Sequence, residues 1–362
     1  MTILHVIDSL YPAGAETLVC QLAESMTTHG IQSEIYVLQQ TGSRLETECR
    51  SRGVAVYYSG IQEVYSPRQV RRLQLHLRKH PYDVIHSHLF PAQLWTALAS
   101  RLECLRVPLA TTEHSTDNRR RRQLWRLLDR WMYGRYDALV GVSDGVSNAL
   151  SDWIMSKAQP VQTIRNVVML NVIAEAPITN IKAELAIEGQ MLAISVGRCE
   201  LPKNYRCSLR ALARTADLHL AILGDGSLMS QLRCTAETLG IGSRVHFLGH
   251  RNDVVSLLKG ADFFVQASLW EGFGIAAVEA MAAGLPVIVS RVPGLAEVAG
   301  EAGVTFDPEN EEELSVCMSM LANDAELRAR LSALSRKRAA DFDVTTTSAR
   351  YAGLYRSLVH VV

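Results

Sequence analysis

The chain alternates short, β-rich apolar runs with longer stretches of helical spacing, and this alternation limits the fold more than any other feature. Runs that are each followed by a helix are typical of parallel sheets covered by helices. Two series of runs are present, so we predict an α/β protein with two Rossmann-like, doubly wound halves. The first series comprises 3–7, 34–38, 54–58, 83–86, 109–112, 138–142 and 161–164. The second series comprises 191–197, 219–224, 245–248, 262–266, 286–290 and 304–306.

The segment 166–180 lies between the two series, contains Pro177 and has no clear periodicity, so we place the linker there. We predict an N-terminal domain over residues 1–170 and a C-terminal domain over residues 171–344, each large enough to bury its own core. In open parallel sheets, ligands bind beyond the carboxyl ends of the strands. We therefore expect the two sheets to face a central cleft that is lined by strand-to-helix loops.

Charge and cysteine usage exclude several classes of protein. The 37 Lys and Arg residues balance 37 Asp and Glu residues, which argues against a dedicated nucleic-acid binder. The 7 cysteines are scattered singly, so they indicate neither a zinc site nor a disulfide framework. Residues 1–8 lack a basic flank and a cleavage site, and no stretch reaches the length of a transmembrane helix. We expect a protein of the reducing cytoplasm.

The segment Glu271-Gly272-Phe273-Gly274 precedes a predicted helix that contains Glu279. The glycines allow a close approach of the backbone to a ligand, and exposed N–H groups at the start of the helix favour an anion. Eight residues separate the two glutamates, which on one helix gives an offset of up to ~12 Å. That spacing suits opposite ends of a long ligand better than an acid/base pair. The alternative is a solvated Glu279 and a Glu271 that only complements the helix dipole.

A second cluster of candidate residues follows the first strand of the second half. Gly197 and Arg198 end that strand, and Lys203 with Asn204 follows a few residues later. Arg198 offers a planar fork for a phosphate, and Lys203 offers a movable point charge. Both lie on the loop where a Rossmann-like domain binds anions. The alternative is two surface cations without a ligand.

The first strand-to-helix turn of the N-terminal half contains Gly14 and Glu16 but lacks the G-x-G-x-x-G spacing of a dinucleotide site. We therefore do not expect NAD at this turn. In the second half, Gly224-Asp225-Gly226 ends a predicted strand. A lone G-x-G is a weak signal that most often marks a tight turn.

Histidines end two predicted strands of the first half, where we expect their side chains to point toward the cleft. His86 and His88 lie two residues apart, without a helical H-E-x-x-H or a carboxylate at a diagnostic spacing, so a zinc site is disfavoured. His114 follows the next strand. A hydrogen bond to a substrate hydroxyl suits His114 better than metal ligation does.

The segment Gly141-Val142-Ser143-Asp144-Gly145 matches G-x-S-x-G between a predicted strand and a predicted helix. This context is typical of a serine hydrolase, in which Ser143 would be the nucleophile. His246 or His250 could then supply the base, although no oxyanion-hole loop is recognisable. The hydrolase is the alternative from another enzyme class.

Residues 119–132 form a basic amphipathic stretch with Leu124, Leu127, Leu128 and Trp131 on one face. Such a helix can lie on an anionic membrane surface, which makes the segment a candidate for peripheral contact with the inner face of the membrane. The alternative is an ordinary helix that packs its Leu/Trp stripe on the sheet and leaves its arginines solvated.

Taken together, the segments 271–274, 279–287 and 197–204 resemble the retaining, nucleotide-sugar-dependent glycosyltransferases of family 4, also called group 1. The resemblance extends over nearly the whole chain. It implies the GT-B architecture of two facing Rossmann-like domains. It also implies that a helix within residues 345–362 crosses back to pack on the N-terminal domain.

The resemblance also implies roles for single residues of the second half. Arg198 and Lys203 are similar to the pair that grips the donor diphosphate and stabilises the departing nucleotide. Glu279 is similar to the ribose ligand. Preorganised cations and helix N–H groups can stabilise this leaving group without a metal, so we expect neither a cofactor nor a metal site.

The remaining donor residues come from both halves. Glu271, with the backbone of residues 272–274, resembles the element that holds the sugar hydroxyls and the distal phosphate. His114 resembles the histidine that lines the sugar pocket. Gly14 and Glu16 resemble the first-loop element near donor and acceptor.

The resemblance therefore implies transfer of a hexose-type sugar, with retention, from a nucleotide diphosphate sugar to a glycan or lipid-linked acceptor. A UDP-sugar is favoured as donor and GDP-mannose is the alternative. The family and the basic stretch favour a role in building exopolysaccharide, lipopolysaccharide or another cell-surface glycan. A catalytically silent nucleotide-sugar binder is the third alternative.

Overall fold

The computed structural model describes residues 1–103, 106–116, 125–155 and 160–360. The chain divides into two compact units. Unit 1 comprises Met1–Val167 and Val344–Val362, and unit 2 comprises Val168–Asp343.

Unit 1 contains one sheet of seven strands, all of which pair in parallel. The strands are β1 (Thr2–Ile7), β2 (Gln32–Val37), β3 (Ala55–Tyr58), β4 (Val84–His88), β5 (Leu109–Glu113), β6 (Ala138–Gly141) and β7 (Val161–Thr163). Their spatial order is β3-β2-β1-β4-β5-β6-β7. The connecting helices are α1 (Gly14–Ser25), α2 (Arg44–Ser51), α3 (Arg68–Lys79), α4 (Ala92–Glu103), α5 (Arg126–Tyr133) and α6 (Asp144–Ile154).

Unit 2 contains a second parallel sheet, of six strands. The strands are β8 (Met191–Val196), β9 (Leu218–Leu223), β10 (Val245–Gly249), β11 (Phe263–Gln266), β12 (Val287–Ser290) and β13 (Gly303–Phe306). Their spatial order is β10-β9-β8-β11-β12-β13. The helices are α7 (Leu170–Glu175), α8 (Ile181–Glu184), α9 (Tyr205–Ala213), α10 (Met229–Thr238), α11 (Val254–Leu258), α12 (Ile275–Ala282), α13 (Leu295–Ala299), α14 (Glu311–Asn323) and α15 (Ala325–Ala339).

The last helix, α16 (Val344–His360), returns to unit 1. Its buried side chains include Tyr351, Leu354 and Tyr355, which join the apolar cluster that contains Ile3 of β1 and Val84 of β4. The C-terminal segment is therefore part of the core of unit 1. This placement matches the helix that the resemblance implied for residues 345–362.

In unit 2, the core lies between the central strands and the helices that cover them. The sequence also defines the helix ends here. Asn310 accepts hydrogen bonds from the N–H groups of Glu312 and Glu313, and thereby caps α14. Asp324 caps α15 in the same way through Leu327. Side-chain acceptors at these positions satisfy N–H groups that have no partner inside a helix.

Each sheet reverses its strand order next to its first strand, between β1 and β4 in unit 1 and between β8 and β11 in unit 2. Ligands of doubly wound folds bind at such switch points, beyond the carboxyl ends of the strands. In unit 2, the loops at this point are those that carry Arg198 and Glu271.

The structure confirms the prediction of two Rossmann-like α/β halves with parallel sheets. Each of the thirteen predicted runs overlaps one of the thirteen strands that the described residues form. Among the helices within the described ranges, none combines the length and the apolarity that crossing a bilayer requires.

Candidate donor-binding site

In unit 2, the loop after β8 presents one exposed cation. Arg198 follows Gly197 at the end of the strand, and no hydrogen bond or ion pair joins its guanidinium to another described residue. Beneath the loop, the buried Tyr205 donates a hydrogen bond from its hydroxyl to the carbonyl of Gly197, over 3.0 Å. The loop is thus held from below, and the guanidinium of Arg198 remains available to a ligand.

Lys203 lies on the same loop, at the end of a short 3₁₀ turn over Leu201–Lys203. Its side chain runs across the backbone of Gly197, where an added Cβ would lie 2.8 Å from Cε of the lysine. The missing side chain at Gly197 therefore makes room for Lys203. This close approach explains why a glycine occupies the position directly after β8.

Gly224 and Gly226, which the sequence marks only as a weak turn signal, support this loop. A Cβ on Gly224 would overlap the carbonyl oxygen of Gly197, and a Cβ on Gly226 would lie 2.5 Å from the carbonyl oxygen of Cys199. The backbone N–H of Cys199 donates to the carbonyl of Asp225 over 2.9 Å. The sequence did not predict this supporting role. The signal available for it was the G-x-G segment at the end of the second predicted strand of the second half.

The loop after β11 brings Glu271 to the same place. Its Oε2 accepts hydrogen bonds from Nζ of Lys203 over 2.6 Å and from Nε2 of Gln266 over 2.8 Å. The hydroxyl of Ser268 lies 3.4 Å from the same oxygen. Gln266 and Ser268 are both buried, so the carboxylate of Glu271 is held in a fixed orientation. Two residues that the sequence nominated separately are therefore direct partners.

The backbone of residues 272–274 leads into α12. Gly274 has φ of +94°, a conformation that residues with a side chain rarely adopt, and a Cβ there would overlap Leu295. Phe273 is buried and packs edge-on against Phe342, with ring centroids 5.4 Å apart. The phenyl ring therefore belongs to the core, and only the backbone of this segment can serve a ligand. The first N–H groups of α12 lack partners inside the helix, which favours an anion there.

Glu279 lies on α12, half-buried, and no described residue forms a hydrogen bond or ion pair with its carboxyl group. Burial raises the pKa of its carboxyl group to about 7. The helix begins at Ile275, so Glu271 precedes it, and the predicted offset along one helix does not describe the pair. The two carboxyl groups nevertheless occupy different surroundings, because that of Glu271 is held by one cation and one amide, whereas that of Glu279 is unpaired among the described residues.

In unit 1, Gly14 begins α1, and Glu16 lies in the first turn of that helix. His114 directly follows β5. Its Nε2 lies 3.4 Å from Nδ1 of His88, whereas its Nδ1 is buried and has no hydrogen-bond partner in the described part of the chain. Burial lowers the pKa of His114 to about 4, so the ring is neutral at pH 7.

The expectation that His86 and His88 point out of the strand ends is wrong. Both belong to β4 and are fully buried. His86 hydrogen-bonds the hydroxyl of Tyr355 over 2.7 Å and that of Thr112 over 2.8 Å. The alternation of side chains along a strand places both rings on one face of the sheet, against which α16 packs.

The G-x-S-x-G segment has a structural explanation. Ser143 is fully buried and caps α6, where its hydroxyl accepts from the N–H of Val146 over 3.1 Å. A Cβ on Gly141 would lie 2.7 Å from the backbone nitrogen of Ser147, so helix and strand meet closely at this point. Helix capping and close packing account for the motif, and the structure does not favour the hydrolase alternative.

The basic stretch is described only in part, because residues 117–124, including Leu124, lie outside the described ranges. In α5, Leu127 is 78% exposed and Trp131 is 38% exposed, while Met132 and Tyr133 are buried. The alternative interpretation, in which the Leu/Trp stripe packs on the sheet, is therefore wrong for Leu127 and Trp131. These two side chains form an exposed apolar pair, one turn apart.

Comparison with known families assigns both halves. Residues 12–172 match the model of Glycosyltransferase Family 4, and residues 177–338 match the model of Glycosyl transferases group 1. The chain is therefore composed of two glycosyltransferase domains, in the architecture called GT-B.

Similar proteins include a glycogen synthase of Mycobacterium tuberculosis, which is 27% identical over 292 residues, 75% of this chain and 68% of that protein. A UDP-Gal:alpha-D-GlcNAc-diphosphoundecaprenol alpha-1,3-galactosyltransferase of Escherichia coli is 44% identical over 79 residues, 22% of this chain and 20% of that protein. Among solved structures, Anabaena HepE in complex with UDP and glucose superposes with a TM-score of 0.86 and 21% identity, covering 99% of this chain and 100% of that one.

Proposed function

We propose that the protein transfers a hexose-type sugar from a nucleotide diphosphate sugar, with a UDP-sugar as donor, to a glycan or lipid-linked acceptor. The observation that carries the proposal is the convergence of Arg198, Lys203 and Glu271 at the switch point of unit 2. One cation is unpaired and exposed, and the other is held by a carboxylate beside the start of a helix. Such a site suits a ligand that carries both phosphate and hydroxyl groups.

The chemistry follows from the leaving group. Negative charge grows on the diphosphate as the bond to the sugar breaks, and Arg198 with Lys203 would stabilise that charge at the transition state. Lys203 is held by Glu271 before the reaction, so its share of the stabilisation needs little reorganisation. In our proposal, no metal ion is needed. We propose retention at the anomeric carbon on the resemblance to the family alone.

The other donor contacts follow from the carboxyl groups. We assign the ribose hydroxyls to Glu279, since an unpaired carboxylate can accept hydrogen bonds from two neighbouring hydroxyls. We assign the sugar hydroxyls to Glu271 and to the backbone of residues 272–274. His114, with Gly14 and Glu16, would contact the sugar and the acceptor. A UDP-sugar is supported by the names of the Escherichia coli relative and of the Anabaena complex.

We further propose a role in building cell-surface polysaccharide on lipid-linked intermediates. The support is the diphosphoundecaprenol acceptor in the name of the Escherichia coli relative, and the apolar pair Leu127 and Trp131 beside the arginines of α5. Exposed apolar side chains flanked by cations are typical of helices that lie on an anionic membrane.

Vesicle binding tests the membrane contact. The chain should sediment with vesicles that contain anionic lipid but not with purely zwitterionic ones. Leu127→Asp should abolish sedimentation. Val316→Asp, at a side chain of unit 2 that is 67% exposed, is the matched control and should not. Equal sedimentation of both variants would contradict a contact through α5.

Turnover tests the transferase itself and separates it from a silent nucleotide-sugar binder. The purified protein should release UDP from a UDP-sugar when a membrane fraction with lipid-linked acceptors is present, in EDTA as well as in Mg²⁺. The anomeric configuration of the product, read by NMR, should match that of the donor. Binding of the donor without UDP release over any acceptor would favour the silent binder.

A further inference from the structure

Three imidazole rings form a continuous hydrogen-bonded row inside unit 1, which we call the histidine relay: His5, His88 and His114. Nδ1 of His5 lies 3.2 Å from Nε2 of His88, and Nδ1 of His88 lies 3.4 Å from Nε2 of His114. The three residues come from β1, β4 and the end of β5, which are neighbours in the sheet. His5 and His88 are fully buried.

The relay has only two self-consistent proton arrangements. Burial lowers the pKa of His5 to about 3, that of His114 to about 4 and that of His88 well below 6.5, so each ring is neutral and carries one N–H at pH 7. A neutral ring that bonds through both nitrogens must donate at one and accept at the other. Both hydrogen bonds of His88 therefore run in the same direction, either toward His114 or toward His5.

The two ends of the relay decide between these directions. Nε2 of His5 and Nδ1 of His114 are both buried, and neither has a hydrogen-bond partner among the described residues, so one of them must carry an unpaired N–H. Both nitrogens are buried, but His5 lies within β1 with its whole ring enclosed, whereas the ring of His114 is partly exposed at the carboxyl end of β5, where ligands of doubly wound folds bind. A donor without a partner is costly in a closed core, while a lone pair is tolerated more often. The favoured arrangement therefore leaves a lone pair at His5 and an N–H at Nδ1 of His114.

We propose that the relay holds His114 in the tautomer with its proton on Nδ1, so that His114 donates a hydrogen bond to an oxygen of the transferred sugar. This inference rests on the proposed function. His5 and His88 are then positioning residues, since they act through His114 without touching the substrate. A fixed donor discriminates between sugars, because a buried N–H that meets no acceptor is penalised.

A metal site is the competing explanation of the cluster. His5, His86 and His88 each offer a ring nitrogen within 4.8 Å of the others. However, both nitrogens of His86 already bond hydroxyl groups, and both nitrogens of His88 belong to the relay. A metal would have to displace these hydrogen bonds, so the geometry favours the relay.

NMR of the whole chain labelled with ¹⁵N-histidine tests the tautomer without any substrate. The long-range ¹H–¹⁵N spectrum should show a pyrrole-like Nδ1 and a pyridine-like Nε2 for His114, assigned by its loss in His114→Gln. His5→Phe should shift His114 toward a mixture of tautomers, whereas His5→Gln, which can still donate to His88, should restore the original pattern. Tyr355→Phe removes a hydroxyl from the same buried cluster and should leave His114 unchanged.

Several results would overturn the relay. A proton on Nε2 of His114 in the unaltered chain would do so without any variant, even if His5→Phe does not fold. An unchanged His114 spectrum in folded His5→Phe would contradict the role of His5. A stoichiometric metal in the purified protein, found by elemental analysis and lost in His5→Phe, would assign the cluster to metal binding.

Calorimetry tests the link to the sugar. His5→Phe should weaken binding of the preferred UDP-sugar by about three- to tenfold, the worth of one hydrogen bond, and leave binding of UDP unchanged. Tyr355→Phe should change neither affinity. Equal losses for UDP and UDP-sugar would contradict the sugar contact. If the unaltered chain binds no nucleotide, the proposed function fails, while the NMR result still decides the tautomer.

Discussion

Lys203 and Glu271 lie 68 residues apart in the sequence, yet Nζ of the lysine is 2.6 Å from Oε2 of the glutamate. The pair joins the loop after β8 to the loop after β11, on the two sides of the switch point. Both side chains remain about one-fifth exposed, at 22% and 20%. The contact therefore fixes the loops relative to each other and keeps both charges within reach of a ligand.

Lys203→Ala should reduce kcat/KM by about 10²-fold or more, because it removes a preorganised positive charge from the leaving group. The free energy of unfolding should fall by only about 1 kcal/mol or less, since a partly exposed ion pair contributes little. Initial rates of UDP release and urea denaturation measure the two effects.

The control for Lys203→Ala is Lys182→Ala. Lys182 pairs with Asp262 over 2.7 Å, and both side chains are 22% exposed, but this pair lies at the other end of the sheet strands, before β11. It should cost similar stability and leave kcat/KM unchanged. Similar kinetic losses in both variants would show that Lys203 acts only through stability.

Donor affinity should rise with pH through neutrality because of Glu279. Its pKa is raised to about 7 by burial, and only the ionised carboxylate can accept hydrogen bonds from both ribose hydroxyls. Below pH 7 the affinity should therefore fall by up to about tenfold per pH unit. Glu279→Gln should bind weakly at every pH, with a flat profile in calorimetry.

The same shift predicts an opposite effect on stability. A carboxyl group whose pKa is higher in the folded state than in the unfolded state destabilises the folded chain above its unfolded value of 4.5. Glu279→Gln should therefore melt higher than the unaltered protein at pH 8, and the gain should disappear near pH 4.5. A lower melting temperature at pH 8 would contradict a buried, unpaired carboxylate.

Acid should destabilise unit 1 through its buried histidines. Burial lowers the pKa of His5 to about 3, that of His76 and His114 to about 4, and those of His86 and His88 well below 6.5. Below pH 6.5 the unfolded chain binds protons that the folded chain excludes, so stability falls as pH falls. Each histidine contributes up to about 1.4 kcal/mol per pH unit. Urea denaturation between pH 7.5 and 5 measures the slope, and a flat profile would contradict neutral buried rings.

The last helix, α16, should be essential for the stability of unit 1. Leu354→Ala on α16 should cost about 2–4 kcal/mol, because Leu354 is buried against the sheet of unit 1. Val359→Ala on the same helix is the control, since Val359 is 37% exposed and should cost little. A chain that ends at Asp343 should lose the protease resistance of unit 1. An active, monodisperse protein of that length would contradict the role of α16.

Gly224→Ala should disrupt the donor site from behind. The added methyl group would overlap the carbonyl oxygen of Gly197 and push away the loop that carries Arg198. We expect weaker nucleotide binding together with a loss of stability. Gly240→Ala is the control, since its φ of +69° carries the strain of a left-handed residue, but nothing lies within 4 Å of its Cβ. It should lose stability and keep nucleotide affinity.

The sequence predicts the fold well because the signal is local. Apolar runs such as 191–197 and 286–290 fall within one residue of β8 and β12, and parallel strands buried on both faces leave few other assignments. The loop glycines at Gly197 and Gly274 are likewise visible, since they stand beside charged residues at strand ends.

The contacts of the site could not be predicted from the sequence. The Lys203–Glu271 pair depends on which strands become neighbours, and the role of Gly224 depends on how closely two loops approach. His86 and His88 show the same limit. Their positions in β4 are predictable, but their burial depends on α16, which returns from the far end of the chain. Which side of α5 is exposed is likewise set by how the helix packs against the rest of unit 1, and not by the spacing of apolar residues within the helix.

The most direct test of the proposed function is the melting temperature of the purified protein in the presence of UDP, GDP, ADP and their sugar conjugates, each in Mg²⁺ and in EDTA. We predict a rise with UDP and a UDP-sugar that is the same in EDTA and is lost in Lys203→Ala but kept in Lys182→Ala. No shift with any nucleotide, or the same shift in both variants, would contradict a nucleotide-sugar site at the switch point of unit 2.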